Sequence, residues 1–164
     1  WIHPVLTEVM SFCYLWYLYY LFSSQARYFC ADLKLLEKHY TGLFSIYGIG
    51  FIGYSTVPAL GPALAMAEQF SAPLKGWWFT TITSEVVLMA SNRVDIFPSL
   101  HVANSLYILL FDYRHNRYRF WICLVPCLGL FLSTIYLRYH YFVDVLCGIA
   151  LSLVALGLVQ VEKT

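Results

Sequence analysis

Two short stretches of this chain place chemistry-bearing residues at spacings that suit group transfer. Ser99 and His101 lie two apart in Phe97-Pro98-Ser99-Leu100-His101-Val102-Ala103, and His140 and Asp144 lie four apart in Tyr139-His140-Tyr141-Phe142-Val143-Asp144. On a helix, positions i and i+4 share a face within side-chain reach. A carboxylate there accepts the imidazole Nδ1 proton, fixes the tautomer and leaves Nε2 as nucleophile or base. Such a pair could instead staple two helices, but apolar packing would do that without burying ionisable groups. Pro98 cannot continue a preceding helix and Ser99 is a favoured N-cap, so a helix is expected to start there with free N–H groups pointing outward. A helix N-terminus suits an anion; the Ser99 hydroxyl adds a donor, and His101 in the first turn can present a proton. Alone, this second pattern is weak. Beside His140, Asp144, Arg93 and Arg138, the anion-binding reading prevails.

Two histidines, two arginines and a helix N-terminus, with no acidic cluster, suit phosphoryl transfer that needs no metal and no cofactor. His140 would attack phosphorus and become a phosphohistidine, with Asp144 stabilising the charge that develops on its ring. His101 would protonate the leaving alkoxide and then deprotonate the incoming acceptor. Arg138, Arg93, Ser99 and the helix N–H groups would hold the equatorial oxygens. A zinc or serine hydrolase built from Ser99, His101, His140 and Asp144 is a different class, but no HExxH motif and no GxSxG elbow frames these residues. A non-catalytic membrane scaffold would lose only stability on His140→Ala.

The elements that must position these residues are membrane helices. Of 164 residues, 60% are hydrophobic, 19% aromatic and 12% charged, against about a quarter charged in a soluble domain. The fold class expected is all-α, a polytopic helix bundle with about five to six spans and a single domain over residues 1–164. Apolar runs of about 17 to 25 residues fall at Pro4–Phe22, Gly42–Ala59, Pro98–Phe111, Tyr118–Leu137 and Tyr141–Gln160. Leu60–Phe97 reads as loop plus a short surface or re-entrant helix, with Trp77 and Trp78 as an interfacial belt. Arg27, Lys34 and Lys38 in an expected loop Ser23–Thr41, and Arg114, Arg117 and Arg119 in Asp112–Arg119, share one side, which the positive-inside rule makes cytoplasmic. Both histidine stretches then face the extracytoplasmic or lumenal side. The net charge of +1 says nothing about nucleic acid, and none is expected as a partner; membrane lipids and a lipid phosphate are. The oligomeric state stays open.

The order and spacing of Pro98-Ser99-Leu100-His101 and His140-Tyr141-Phe142-Val143-Asp144 resemble the second and third motifs of the type 2 phosphatidic acid phosphatase superfamily, PSGH and SR-x5-H-x3-D. The wording around them is similar to the branch containing inositol phosphorylceramide synthase. The resemblance covers roughly Tyr40 to Gln160 and implies a six-helix membrane core, a nucleophile at His140, its partner at Asp144 and an acid/base at His101. Activity would be lipid-phosphate hydrolysis or, in that branch, transfer of a phospho-headgroup to a lipid alcohol. Three departures stand out. The arginine expected six residues before the nucleophile is Thr134, with Arg138 one helical turn further on. The first motif, K-x6-RP, has as its counterpart Val57-Pro58-Ala59-Leu60-Gly61-Pro62-Ala63, without a cation, so phosphate binding must lean on Arg93, Arg138 or Lys75. Five spans against six suggest a missing N-terminal helix.

Other signals carry less. Gly48-Ile49-Gly50-Phe51-Ile52-Gly53 matches a dinucleotide fingerprint in the wrong context and reads better as small residues for close helix packing. His3, His39 and His115 are expected in solvent, and Glu85 at the surface. The tyrosine-rich Phe12–Phe22 reads as a lipid-facing anchor, and Arg93 is as well suited to snorkelling as to phosphate binding. The five cysteines form no CxxC pair and no disulfide framework is expected. The opening residues lack the basic region of a signal peptide.

Overall fold

The computed structural model describes residues 2–70, 72–91 and 94–161. Five long helices run α1 (Pro4–Ala31), α2 (Leu33–Thr56), α5 (Leu100–His115), α6 (Arg117–Tyr136) and α7 (Phe142–Val161); between α2 and α5 lie a short α3 (Pro62–Ala65), one 3-10 turn (Ala67–Gln69) and α4 (Trp78–Ala90). No strand occurs among the described residues.

Helix α5 is the axis of the bundle, packed against α1, α2, α6 and α7. Its Val102, Ala103, Tyr107 and Ile108 are fully buried. Outward-facing side chains are apolar: Phe22, Phe44, Trp78 and Val125 are each more than 60% exposed. In water such a surface would aggregate; in a bilayer it is solvated by lipid tails while every helix satisfies its own backbone. Helices α1, α6 and α7 are long and apolar enough to cross a membrane by length and composition. Helices α2 and α5, also expected to span, are less apolar for a physical reason. α5 has only 16 residues and buries Asn104, Ser105 and Asp112 against protein rather than lipid, and α2 opens with Lys34, Glu37 and Lys38.

The expected loop Ser23–Thr41 is not a loop. α1 continues to Ala31 and α2 begins at Leu33, with Asp32 alone between them in extended backbone (φ −166°) and its Oδ1 accepting the Lys34 N–H at 3.1 Å. Asp32 ends one helix and caps the next, so a single residue makes the turn. α2 stops at Thr56 because Val57 precedes Pro58, a position biased away from helical backbone. The basic stretches nonetheless meet at one end of the bundle. Buried Asp112 on α5 accepts hydrogen bonds from Tyr20 (2.7 Å) and Tyr28 on α1 and pairs with Arg119 on α6 at 3.6 Å. His39, expected in solvent, is fully buried there, its Nε2 3.1 Å from the Ser24 hydroxyl; His3 and His115 are exposed as expected, and so is Glu85.

Between α2 and α5, α4 lies against α1 as the expected short helix. Its N-terminal amides are held by Glu8 of α1, whose carboxylate accepts from the N–H groups of Trp77 (2.7 Å), Phe79 (2.6 Å) and Thr80 (3.2 Å). A carboxylate suits the positive end of a helix. All five cysteines are free.

Candidate active site

The two motifs meet at the end of the bundle opposite Asp112. Ser99 N–H donates to the Asp144 carbonyl at 3.1 Å, tying the start of α5 to the start of α7. Gly148 makes that approach possible: a Cβ there would lie 2.6 Å from the Ser99 carbonyl oxygen. Gly53, in the glycine-rich stretch of α2, packs against Pro98 and the Phe97 carbonyl, so close helix packing is what these glycines do; Gly48 meets nothing. The expected counterpart of the first motif also reaches this end, with Ala63 N–H donating to the Arg138 carbonyl at 2.9 Å.

His140 sits in the turn that joins α6 to α7, two residues before α7 begins. The turn is a helix C-terminal motif. Tyr139 N–H donates to the Thr134 carbonyl and Arg138 N–H to the Ile135 carbonyl, both at 3.0 Å, while Arg138 takes the left-handed φ of +66° usual for glycine there. His140 N–H also donates to the Thr134 carbonyl at 3.0 Å. Thr134, where the family pattern has arginine, therefore supports the backbone of His140, and its side chain is itself fully buried. Arg138 is past the end of α6, so it is not one helical turn beyond Thr134 as expected. Its guanidinium donates to the Ala72 carbonyl at 3.1 Å and lies 3.8 Å over the Phe70 ring.

His140 Nδ1 lies 3.7 Å from Asp144 Oδ2, an ion-pair distance rather than a hydrogen bond; the same carboxylate oxygen accepts the Tyr141 N–H at 2.7 Å. Both residues are buried. The His101 and His140 ring centroids are 5.9 Å apart. Ser99 is at the N-cap of α5 and fully buried, but its hydroxyl does not cap the helix and has no hydrogen-bond partner. Arg93 lies outside the described residues.

A cavity of about 660 Å³ opens onto this arrangement. His101, His140, Arg138, Tyr139 and Asp95 give it a polar lining; Leu15 and Leu18 of α1 with Val87 and Leu88 of α4 give it an apolar one. Leu18 and Leu88 are also exposed on the outer, apolar surface. Burial pushes the Tyr139 phenol up to about 12, so at neutral pH it is a neutral donor. Among the described residues no group of three or more His, Cys, Asp or Glu is placed to hold a metal ion.

Three of the four tyrosines in Phe12–Phe22, expected to face lipid, face the bundle instead. Tyr14, Tyr17, Tyr20 and Tyr28 are buried and face the bundle, while Tyr19 faces outward at 60% exposure. The signal was the spacing of Thr7, Ser11, Tyr14, Tyr17, Leu21, Ser24 and Tyr28, which marks one helical face rich in hydroxyls. Tyr14 shares a hydrogen bond of 3.1 Å with His101 Nε2, and Tyr17 lies edge-on to the same ring at 4.7 Å.

No solved structure matches this chain. It is 27% identical over 117 residues to a PA-phosphatase related-family protein of Dictyostelium discoideum, an alignment covering 69% of this chain and 20% of that protein. This chain thus spans about a fifth of the length of that relative. The PAP2 superfamily model matches residues 2–158. With nearly its whole length matched and both histidine motifs gathered at one cavity, the chain belongs to the PAP2 superfamily.

Proposed function

We propose that this chain is a membrane-embedded lipid-phosphate phosphatase that hydrolyses a phosphomonoester through a phosphohistidine, without a metal. The observation that carries the reading is the convergence of His101 and His140, about forty residues apart in sequence, on one cavity with Asp144 behind His140. Asp144, 3.7 Å from Nδ1 of His140, stabilises the positive charge that develops on the ring as Nε2 attacks phosphorus. As the N–P bond forms, the ester P–O bond breaks and the leaving alkoxide takes a proton from His101. Water then attacks the phosphohistidine, His101 takes its proton, the N–P bond breaks and phosphate leaves. Arg138 and the Ser99 hydroxyl are the groups assigned to the phosphate oxygens, with Arg93 as a further cation. The apolar lining from α1 and α4 suits acyl chains, and the site faces away from the cytoplasm.

One observation favours a second reading, transfer of a phospho-headgroup to a lipid alcohol as in the inositol phosphorylceramide synthase-like branch. Among the described residues Arg138 is the cavity's one Lys or Arg, and Asp95 adds a carboxylate. A phosphodiester brings one negative charge where a monoester brings up to two, and so needs fewer cations. Purified protein given labelled lipid phosphomonoesters and phosphodiesters, with and without a lipid alcohol, separates the readings: free phosphate marks hydrolysis and a labelled alcohol marks transfer. His140→Ala is expected to lower both by about a thousandfold or more. Turnover near wild type would remove His140 as the nucleophile.

A further inference from the structure

We infer that Tyr14 is the positioning residue of the acid/base His101, an inference that rests on the proposed phosphoryl transfer. His140 has a carboxylate to set its ring; His101 has none. The Nδ1 atoms of both rings are buried without a hydrogen-bond partner, but only that of His140 has a carboxylate within 3.7 Å; the His101 ring lies between those of Tyr14 (centroids 4.8 Å, planes 32° apart) and Tyr17 (4.7 Å, 60°). Ring contacts of this kind hold an imidazole in a plane but do not distinguish its two faces of rotation, since a half-turn about the Cβ–Cγ bond exchanges nitrogen for carbon at similar volume. The hydrogen bond between Nε2 and the Tyr14 hydroxyl at 3.1 Å removes that degeneracy and couples the ring's tautomer to one partner.

The neighbouring hydroxyl cannot take this part. Tyr17 Oη is 2.9 Å from Tyr47 Oη and accepts from Asn104 Nδ2 at 3.2 Å, so it is committed away from His101. Tyr14 is itself fixed: it is buried, its ring packs on Tyr139 at 5.0 Å, and it lines the cavity that His101 and His140 share. Helix α1 thereby contributes to a catalytic group that lies 87 residues away in sequence.

Tyr14→Phe keeps both ring contacts and removes the hydroxyl. Acid–base catalysis by a positioned side chain contributes about 10²–10⁴-fold, so losing the orientation is expected to lower kcat by about tenfold or more with KM within about twofold. In a His101→Ala background the same substitution is expected to change kcat by less than about twofold, because the effect passes through His101. Equal losses in both backgrounds would overturn the inference. A second measurement needs no substrate: in protein labelled with ¹⁵N-histidine, the Nε2 resonance that His101→Ala deletes is expected to shift on Tyr14→Phe, and an unmoved resonance would also overturn it. If the wild-type chain released or transferred no phosphate, the proposed activity would fall, while the Tyr14–His101 pairing would still be decided by that resonance.

Discussion

The Ser99 hydroxyl is fully buried beside the site and bonds to nothing. A buried hydroxyl without a partner costs about 1–3 kcal/mol, so at this position it weakens the fold unless a ligand uses it. Ser99→Ala is therefore expected to leave thermal stability unchanged or raised, while KM for a lipid phosphate rises about tenfold, equivalent to about 1.4 kcal/mol of binding. Lower stability with an unchanged KM would instead make the hydroxyl structural. That Ser99, His101, His140 and Asp144 share one end of the bundle was legible from sequence, because the order of the spans puts both motifs on the same face. Tyr14 was not, because its partner sits on another helix and a tyrosine in an apolar run serves equally well at a lipid interface. His39 was misread for a related reason: a polar residue beside lysines looks solvated until the fold closes Ser24, Tyr28 and Tyr107 around it.

At the scale of elements, the turn between α6 and α7 is where stability and chemistry compete. Arg138 occupies the left-handed position that ends α6, where an L side chain costs about 1–2 kcal/mol and glycine costs little. Strain of this kind persists where the side chain is needed. Alanine usually stabilises a chain relative to glycine; here the order should invert. Arg138→Gly is expected to be more stable than Arg138→Ala by about 1 kcal/mol, read from unfolding midpoints in the same detergent. Both variants should lose turnover alike, because both lack the guanidinium proposed to face the phosphate. Equal activity in the arginine protein and the glycine variant would leave the residue with only its contacts to Ala72 and Phe70. Periodicity and apolar length located α6 and α7 to within a residue at each end, because lipid-facing helices must be continuously apolar. They placed the start of α1 at Pro4 but missed where α1 ends and where α2 begins. Arg27, Lys34 and Glu37 lie on exposed helical turns that apolar length does not mark, and one aspartate suffices to reverse the chain.

Across the whole molecule, polarity is divided between the two ends. One end holds the buried Asp112–Arg119 pair with Tyr20, Tyr28 and His39; the other holds His101, His140 and the cavity. Because Arg27, Lys34, Lys38, Arg114 and Arg117 cluster at the first end, the positive-inside rule predicts a cytoplasmic position for it and, as proposed above, a cavity that opens on the other side. The chain carries its own reporter for this orientation. Cys30, near the end of α1 beside Asp32, is exposed, whereas Cys13, Cys123 and Cys127 are buried and Cys147 is partly covered. In sealed membranes, a thiol reagent that cannot cross the bilayer is expected to label Cys30 from the cytoplasmic face, and Cys30→Ser should abolish that signal. Labelling from the opposite face would invert the molecule. It would place His140 on the cytoplasmic side and limit the enzyme to lipid phosphates of the inner leaflet.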